Sequence, residues 1–177
     1  GGVGAQTLTL TTPSGTPTVS VSSSVVNDQT IHANILHNTA DNTLRLVNNN
    51  ATQALTVSGT IQGGSGTSQR IINSTGNVSL NGAVSAGSAS SSPNLAQVAS
   101  GTLTLGGSAS SGLTTLRATA GGAKAVVNGQ TVTVSDESDY GSVSSTFQIL
   151  SGSAAFNGGI RAGTSSGVLS GSDGQTF

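Results

Sequence analysis

The chain has 177 residues, a net charge of −1 and only 6% charged residues, far below the roughly 25% of ordinary soluble domains. Without cysteine there is no disulfide framework, thiol nucleophile or thiolate metal ligand, and Arg45, Arg70, Arg117, Lys124 and Arg161 stand singly along the chain, which argues against a nucleic-acid partner. One Tyr, three Phe and no Trp leave a thin aliphatic interior rather than the aromatic-rich core of a typical enzyme, and no apolar run is long enough to span a membrane.

In chain order, period-two alternation appears at 7–10, 18–21, 43–46, 54–57, 77–80, 102–105 and 131–134. Each reads as a half-buried strand. Clusters of Gly, Ser and Asn between them read as turns. A five-residue phrase recurs with these strands. It runs apolar, any, apolar, any, then usually glycine. Leu8–Thr12 and Ile31–Ile35 are copies without the glycine. Leu55–Gly59, Val78–Gly82, Leu103–Gly107 and Ala125–Gly129 are full copies, and Leu150–Gly152 ends a fainter one. Their last residues are spaced by 23, 24, 23, 25, 22 and 23 residues. A fixed period of this size marks a repeat architecture.

Each repeat holds more than one strand. Leu55–Val57 is followed by Ile61 and then by Arg70–Ile72; Val78–Leu80 is followed by Val84 and then by Leu95 and Val98. Short strands joined by tight turns make one rung of a β-solenoid. A lone rung cannot bury its apolar side, whereas stacked rungs bury a continuous column and pair their backbone groups with the rungs on either side. The expectation is therefore an all-β parallel β-helix of about seven rungs, one domain over 1–177, with 153–177 as a partial rung or cap. Gly59, Gly82, Gly107, Gly129 and Gly152 are expected at the turns, where positive φ or close backbone approach is needed. Asn27, Asn50 and Asn73 recur at steps of 23, which predicts an asparagine ladder. The low-complexity stretches 85–93 and 106–112 read as lateral loops.

Residues with reactive chemistry are few. Asp136, Glu137 and Asp139 are the one acidic cluster, and three carboxylates supply part of a hard-cation shell; a solvated loop is the simpler reading. Gly1–Thr9 has the spacing of a calcium-binding nonapeptide, but Gln6 stands where the liganding Asp belongs. Gly163–Gly167 spells G-x-S-x-G without the strand–turn–helix context that gives it meaning. His32 and His37 lie on opposite sides of a strand-like stretch. Neither Asp28 nor Asp41 completes a triad with them. Paired carboxylates for glycoside cleavage have few acids to draw on. Asn50, Asn73 and Asn77 begin N-x-S/T triplets that a chain of this composition generates by chance. No catalytic residue, metal or cofactor is expected.

The segments 48–61 (NNNATQALTVSGTI), 75–84 (TGNVSLNGAV) and 100–108 (SGTLTLGGS) resemble autotransporter-associated β-strand repeats. The likeness is best over 44–134. It implies a right-handed parallel β-helix, export to the exterior of a Gram-negative bacterium, and a passenger role in adhesion or extracellular architecture. It brings no catalytic residues. A chain without Met at position 1 is expected to be processed or cut from a longer one, and the family's translocating barrel is not within these residues. Three functions stay open at this point. One is a subunit that self-assembles, end to end or by strand addition, into an extracellular fibre. The second is a stalk segment of a larger adhesin; besides further copies of the chain, surface glycans or the cell envelope are the partners to expect. The third is a polysaccharide-binding or -cleaving module.

Overall fold

The computed structural model describes residues 6–11, 15–37, 43–63, 70–85, 94–135, 138–140, 145–162 and 168–171. Among them every regular element is a strand, every strand pair is parallel, and no helix is long and apolar enough to cross a membrane. The chain is a β-solenoid, as its period predicts.

It winds over three faces in a constant order. The first level is β1 (Thr7–Leu10), β2 (Thr18–Val21) and β3 (Gln29–Ile31); the second is β4 (Asn34–His37), β5 (Thr43–Asn48) and β6 (Leu55–Val57). Next come β7 (Ile61–Gly63) with the long β8 (Arg70–Leu80), then β9 (Val84–Ser85) with β10 (Asn94–Gly106). Both long strands bend at a corner and serve two faces. Then follow β11 (Ser110–Leu113), β12 (Thr115–Ala118), β13 (Lys124–Val134), β14 (Ser138–Tyr140), β15 (Thr146–Phe156), β16 (Ile160–Ala162) and β17 (Val168–Gly171).

The first face stacks β1, β4, β7 and β9, and resumes with β11 and the second halves of β13 and β15. The second face stacks β3, β6, and one half each of β8, β10, β13 and β15, ending on β17. The third stacks β2, β5, the first halves of β8 and β10, and β12, with the β14–β16 pair in a separate ladder. The solenoid amounts to about 5 turns with a period near 23 residues. The expectation of about seven rungs also counts the first and last levels, which are edges with a neighbour on one side only.

The period is not uniform. Thr18 pairs with Arg45 and Thr43 with Ile71, whereas Leu95 pairs with Thr115 and Lys124 with Thr146. The turn from Thr43 to Ile71 contains a bend at residues 49–54 beyond β5, and the turn from Thr18 to Arg45 contains one at 22–28 beyond β2. The repeated phrase marks the second face at Leu55, Val78, Leu103 and Ala125. Leu8–Leu10 instead belongs to the first face, and Ile31–Ile35 turns the corner between β3 and β4.

Inward positions alternate along each strand as period two requires. Leu44 and Leu46, Leu55 and Val57, Leu80, Leu103 and Leu105, Val127 and Ile149 are all nearly inaccessible. Burial of each such aliphatic side chain contributes about 1.5–3 kcal/mol. Small Ala96, Ala118, Ala123 and Ala125 narrow the middle of the core. Nearer the end, Phe147 and Phe156 meet edge to face at 4.9 Å and 89°. The stretch 106–112, expected to be a lateral loop, instead contributes β11, with Ser111 and Leu113 buried.

Candidate functional site

Glycine builds two corners of the coil, through close backbone approach and positive φ. Between the second and first faces, Gly59, Gly82, Gly107, Gly129 and Gly152 lie on successive turns. A Cβ at Gly82 would strike the Gly59 carbonyl, one at Gly129 the Gly107 carbonyl, and one at Gly152 the backbone of Gly129 and Gln130. Backbone stacks on backbone, and a side chain has no room. Gly107, Gly129 and Gly152 also have φ of 75°, 108° and 83°, whereas Gly59 and Gly82 owe their place to close approach alone. The corner between the third and second faces repeats the device with Gly76 and Gly101.

Ladder hydrogen bonding on the first face stops between β9 and β11. A buried polar cluster fills the break. Gln130, 0% exposed, donates through Nε2 to the carbonyls of Leu80 at 2.7 Å, Gly106 at 2.9 Å and Gly82 at 3.3 Å. Its Oε1 accepts from Ser111 Oγ at 2.5 Å, and that hydroxyl accepts from the Val84 N–H at 3.0 Å. A side chain thus supplies the partners that a missing strand pairing withholds. No motif pointed to Gln130; the traces in the sequence were the 25-residue step from Gly82 to Gly107 and a long amide directly after a turn glycine.

Asparagine is used in the same way. Asn48 Nδ2 donates to the carbonyls of Gln53 and Asn77 at 2.7 and 2.8 Å, and its Oδ1 accepts from the Asn50 N–H at 3.0 Å. Asn50 Nδ2 donates to Ser23 and Val25 carbonyls at 3.0 and 2.8 Å, while its Oδ1 accepts from the N–H groups of Thr52 and Gln53. The pair tie the 49–54 bend to the turns on both sides. The expected ladder of Asn27, Asn50 and Asn73 does not form. Asn73 is in register with Arg45 and Gln97, and Asn50 bonds beside Ser23 and Val25 rather than to Asn27. Unequal turn lengths put residues 23 apart at different heights.

Among the described residues the reactive side chains do not converge. His32 lies exposed at the corner between β3 and β4, its Nδ1 3.0 Å from Ser58 Oγ. His37 is on β4 and points into the core at 2% exposure. The two are separated by a corner, not by the alternation of one strand. Asp28 Oδ1 accepts the Ala54 N–H at 2.8 Å and so serves as a turn brace. Asp139 is on β14, opposite Arg161 of β16. Asp136, Glu137, Asp41, Gly1–Ala5 and the 163–167 motif lie outside the described residues. Among the described residues, no three His, Cys, Asp or Glu come together as a metal site.

No known protein family, curated protein or solved structure matches this chain. Most of the polar side chains placed with care serve the coil itself.

Proposed function

We propose that the chain is a non-catalytic structural protein of the bacterial cell exterior, a β-solenoid subunit that self-assembles into an extracellular fibre. The observation that supports this reading is the uniform parallel stacking of the described strands, with buried Gln130, Asn48 and Asn50 bonding within the coil. Among the described residues, β1, β2 and β3 pair only with the level after them, and β16 and β17 only with the level before. Open parallel edges are templates for another chain. The entry level is also apolar within: Val19, Val21, Val25 and Ile31 line an open concavity that reaches Leu55. Joining the last level of one copy to the first of the next is a heterologous contact that does not close, so it propagates as a filament.

The stalk of a larger adhesin is the alternative, in which the same edges continue into further turns of a longer chain. Electron microscopy of the purified protein across a concentration series separates the two. Regular filaments whose length grows with concentration are the expected result. Short, monodisperse rods at every concentration overturn the fibre and leave the stalk.

A further inference from the structure

Arginines that stand singly in the sequence are gathered by the fold. On the third face, Arg45 is in register with Asn73, Asn73 with Gln97, and Gln97 with Arg117. The flanking Leu44 and Leu46, Ala96 and Val98, and Leu116 and Ala118 are buried, so alternation sets Arg45, Gln97 and Arg117 on the outer side. Arg45 is exposed, while Gln97 and Arg117 are half-exposed. Further along the same face, Arg161 lies opposite Asp139. Arg45 and Arg117 therefore occupy one side of the rod.

Spacing and chemistry narrow the partner. Strands about 4.8 Å apart put Arg45 and Arg117, three steps from each other, about 14 Å apart along the axis. Half-exposed Gln97 holds the position next to Arg117. Guanidinium binds carboxylate through two parallel N–H donors, and a carboxamide both donates to and accepts from hydroxyls. Arg117 is half-exposed while its Nε is buried, so a carboxylate reaches only the outer edge of its fork. We propose that this row binds a linear acidic polysaccharide, one with carboxylates spaced among hydroxyls, lying along the rod. Nucleic acid fits less well. Its strand carries a phosphate every ~3.4 Å, too dense for these cations, and Arg45, Asn73, Gln97 and Arg117 include no aromatic residue on which bases could stack. The row is lateral to the ends, so it serves a single rod and a filament alike.

The test is binding of the whole chain to immobilised polygalacturonate, with dextran and single-stranded DNA in parallel. Polygalacturonate is expected to bind at low salt and to be lost by roughly 0.5 M salt, where screening is strong. R45Q/R117Q is expected to weaken binding at least ~10-fold, and R45Q alone about 3-fold, through lost charge-assisted bonds. K124Q, on the second face, stays within about 2-fold of the parent because it touches no part of the row. If R117Q disturbs the strand circular dichroism, the exposed R45Q against K124Q decides. Equal binding by R45Q and parent, equal binding to dextran, or tighter binding to DNA each overturns the proposal. Filament formation is read separately by microscopy, so loss of either result is not mistaken for the other.

Discussion

Gln130 donates to the carbonyl of Leu80 at 2.7 Å across 50 residues of sequence. The bond spans the place where β9 and β11 fail to pair, and it makes one side chain answerable for several backbone groups. Removing a partner from buried polar atoms costs about 1–3 kcal/mol for each group left unsatisfied. Gln130→Ala is therefore expected to destabilise the chain by about 3 kcal/mol or more, since Leu80, Gly106 and Ser111 lose a partner together. Denaturant unfolding of the variant checks this. A loss below about 1 kcal/mol would mean that water or rearrangement replaces the amide.

A charged analogue at the same place adds a pH test. Gln130→Glu puts a carboxylate among carbonyl oxygens and out of water. Burial and the facing carbonyl oxygens outweigh the one donor, Ser111 Oγ, and favour its neutral form, so its folded pKa is raised above the unfolded value. The stability it retains is then present below the unfolded pKa and is lost as pH rises through the folded one. Relative to the parent, the variant should unfold more easily at pH 7 than at pH 4. A difference independent of pH between the two would contradict the closeness of those carbonyls.

The corner glycines allow crowding and backbone strain to be separated. Gly82 meets the Gly59 carbonyl and has no positive φ; Gly122 has φ of 75° with nothing within 4 Å; Gly129 has φ of 108° and meets the Gly107 carbonyl. Strain alone costs about 1–2 kcal/mol for a Cβ in the left-handed region. Gly122→Ala is expected within that range, and Gly129→Ala well beyond it, because backbone atoms cannot move aside without opening the ladder. Gly112, with open space and ordinary φ, is the control and should accept Ala with little change. Equal midpoints for the Gly122 and Gly129 variants in thermal unfolding would refute the stacked-backbone account.

Strand alternation and period were legible because stacking imposes both on every turn. Leu55, Val78, Leu103 and Ala125 repeat since each fills the same inward position of the second face. What the sequence concealed was height. A bend such as 49–54 lengthens one turn without disturbing the alternation on either side, so Asn27, Asn50 and Asn73 kept their spacing and lost their alignment. The same effect worked in reverse for Arg45 and Arg117. They are 72 residues apart with no shared motif, yet three successive registers bring them onto one row. Polar staples such as Gln130 were hidden for another reason. An amide that repairs a break is needed once and leaves no repeat.

Asn50 tests this distinction between spacing and contact. Its side chain is 7% exposed and bonds to Ser23, Val25, Thr52 and Gln53, whereas Asn27 lies exposed on the bend before β3. A ladder would make the two equivalent, and substituting either would cost a similar amount. The observed contacts make them unequal. Asn50→Ala is expected to cost about 2–4 kcal/mol, since several buried groups of the bend lose their partners, and Asn27→Ala under about 0.5 kcal/mol, as for surface sites generally. Hydrogen exchange adds position to the comparison. In the Asn50 variant, the amides of Thr52 and Gln53 should lose protection first, because Asn50 Oδ1 accepts from both. Equal losses of stability in the two variants would restore the ladder.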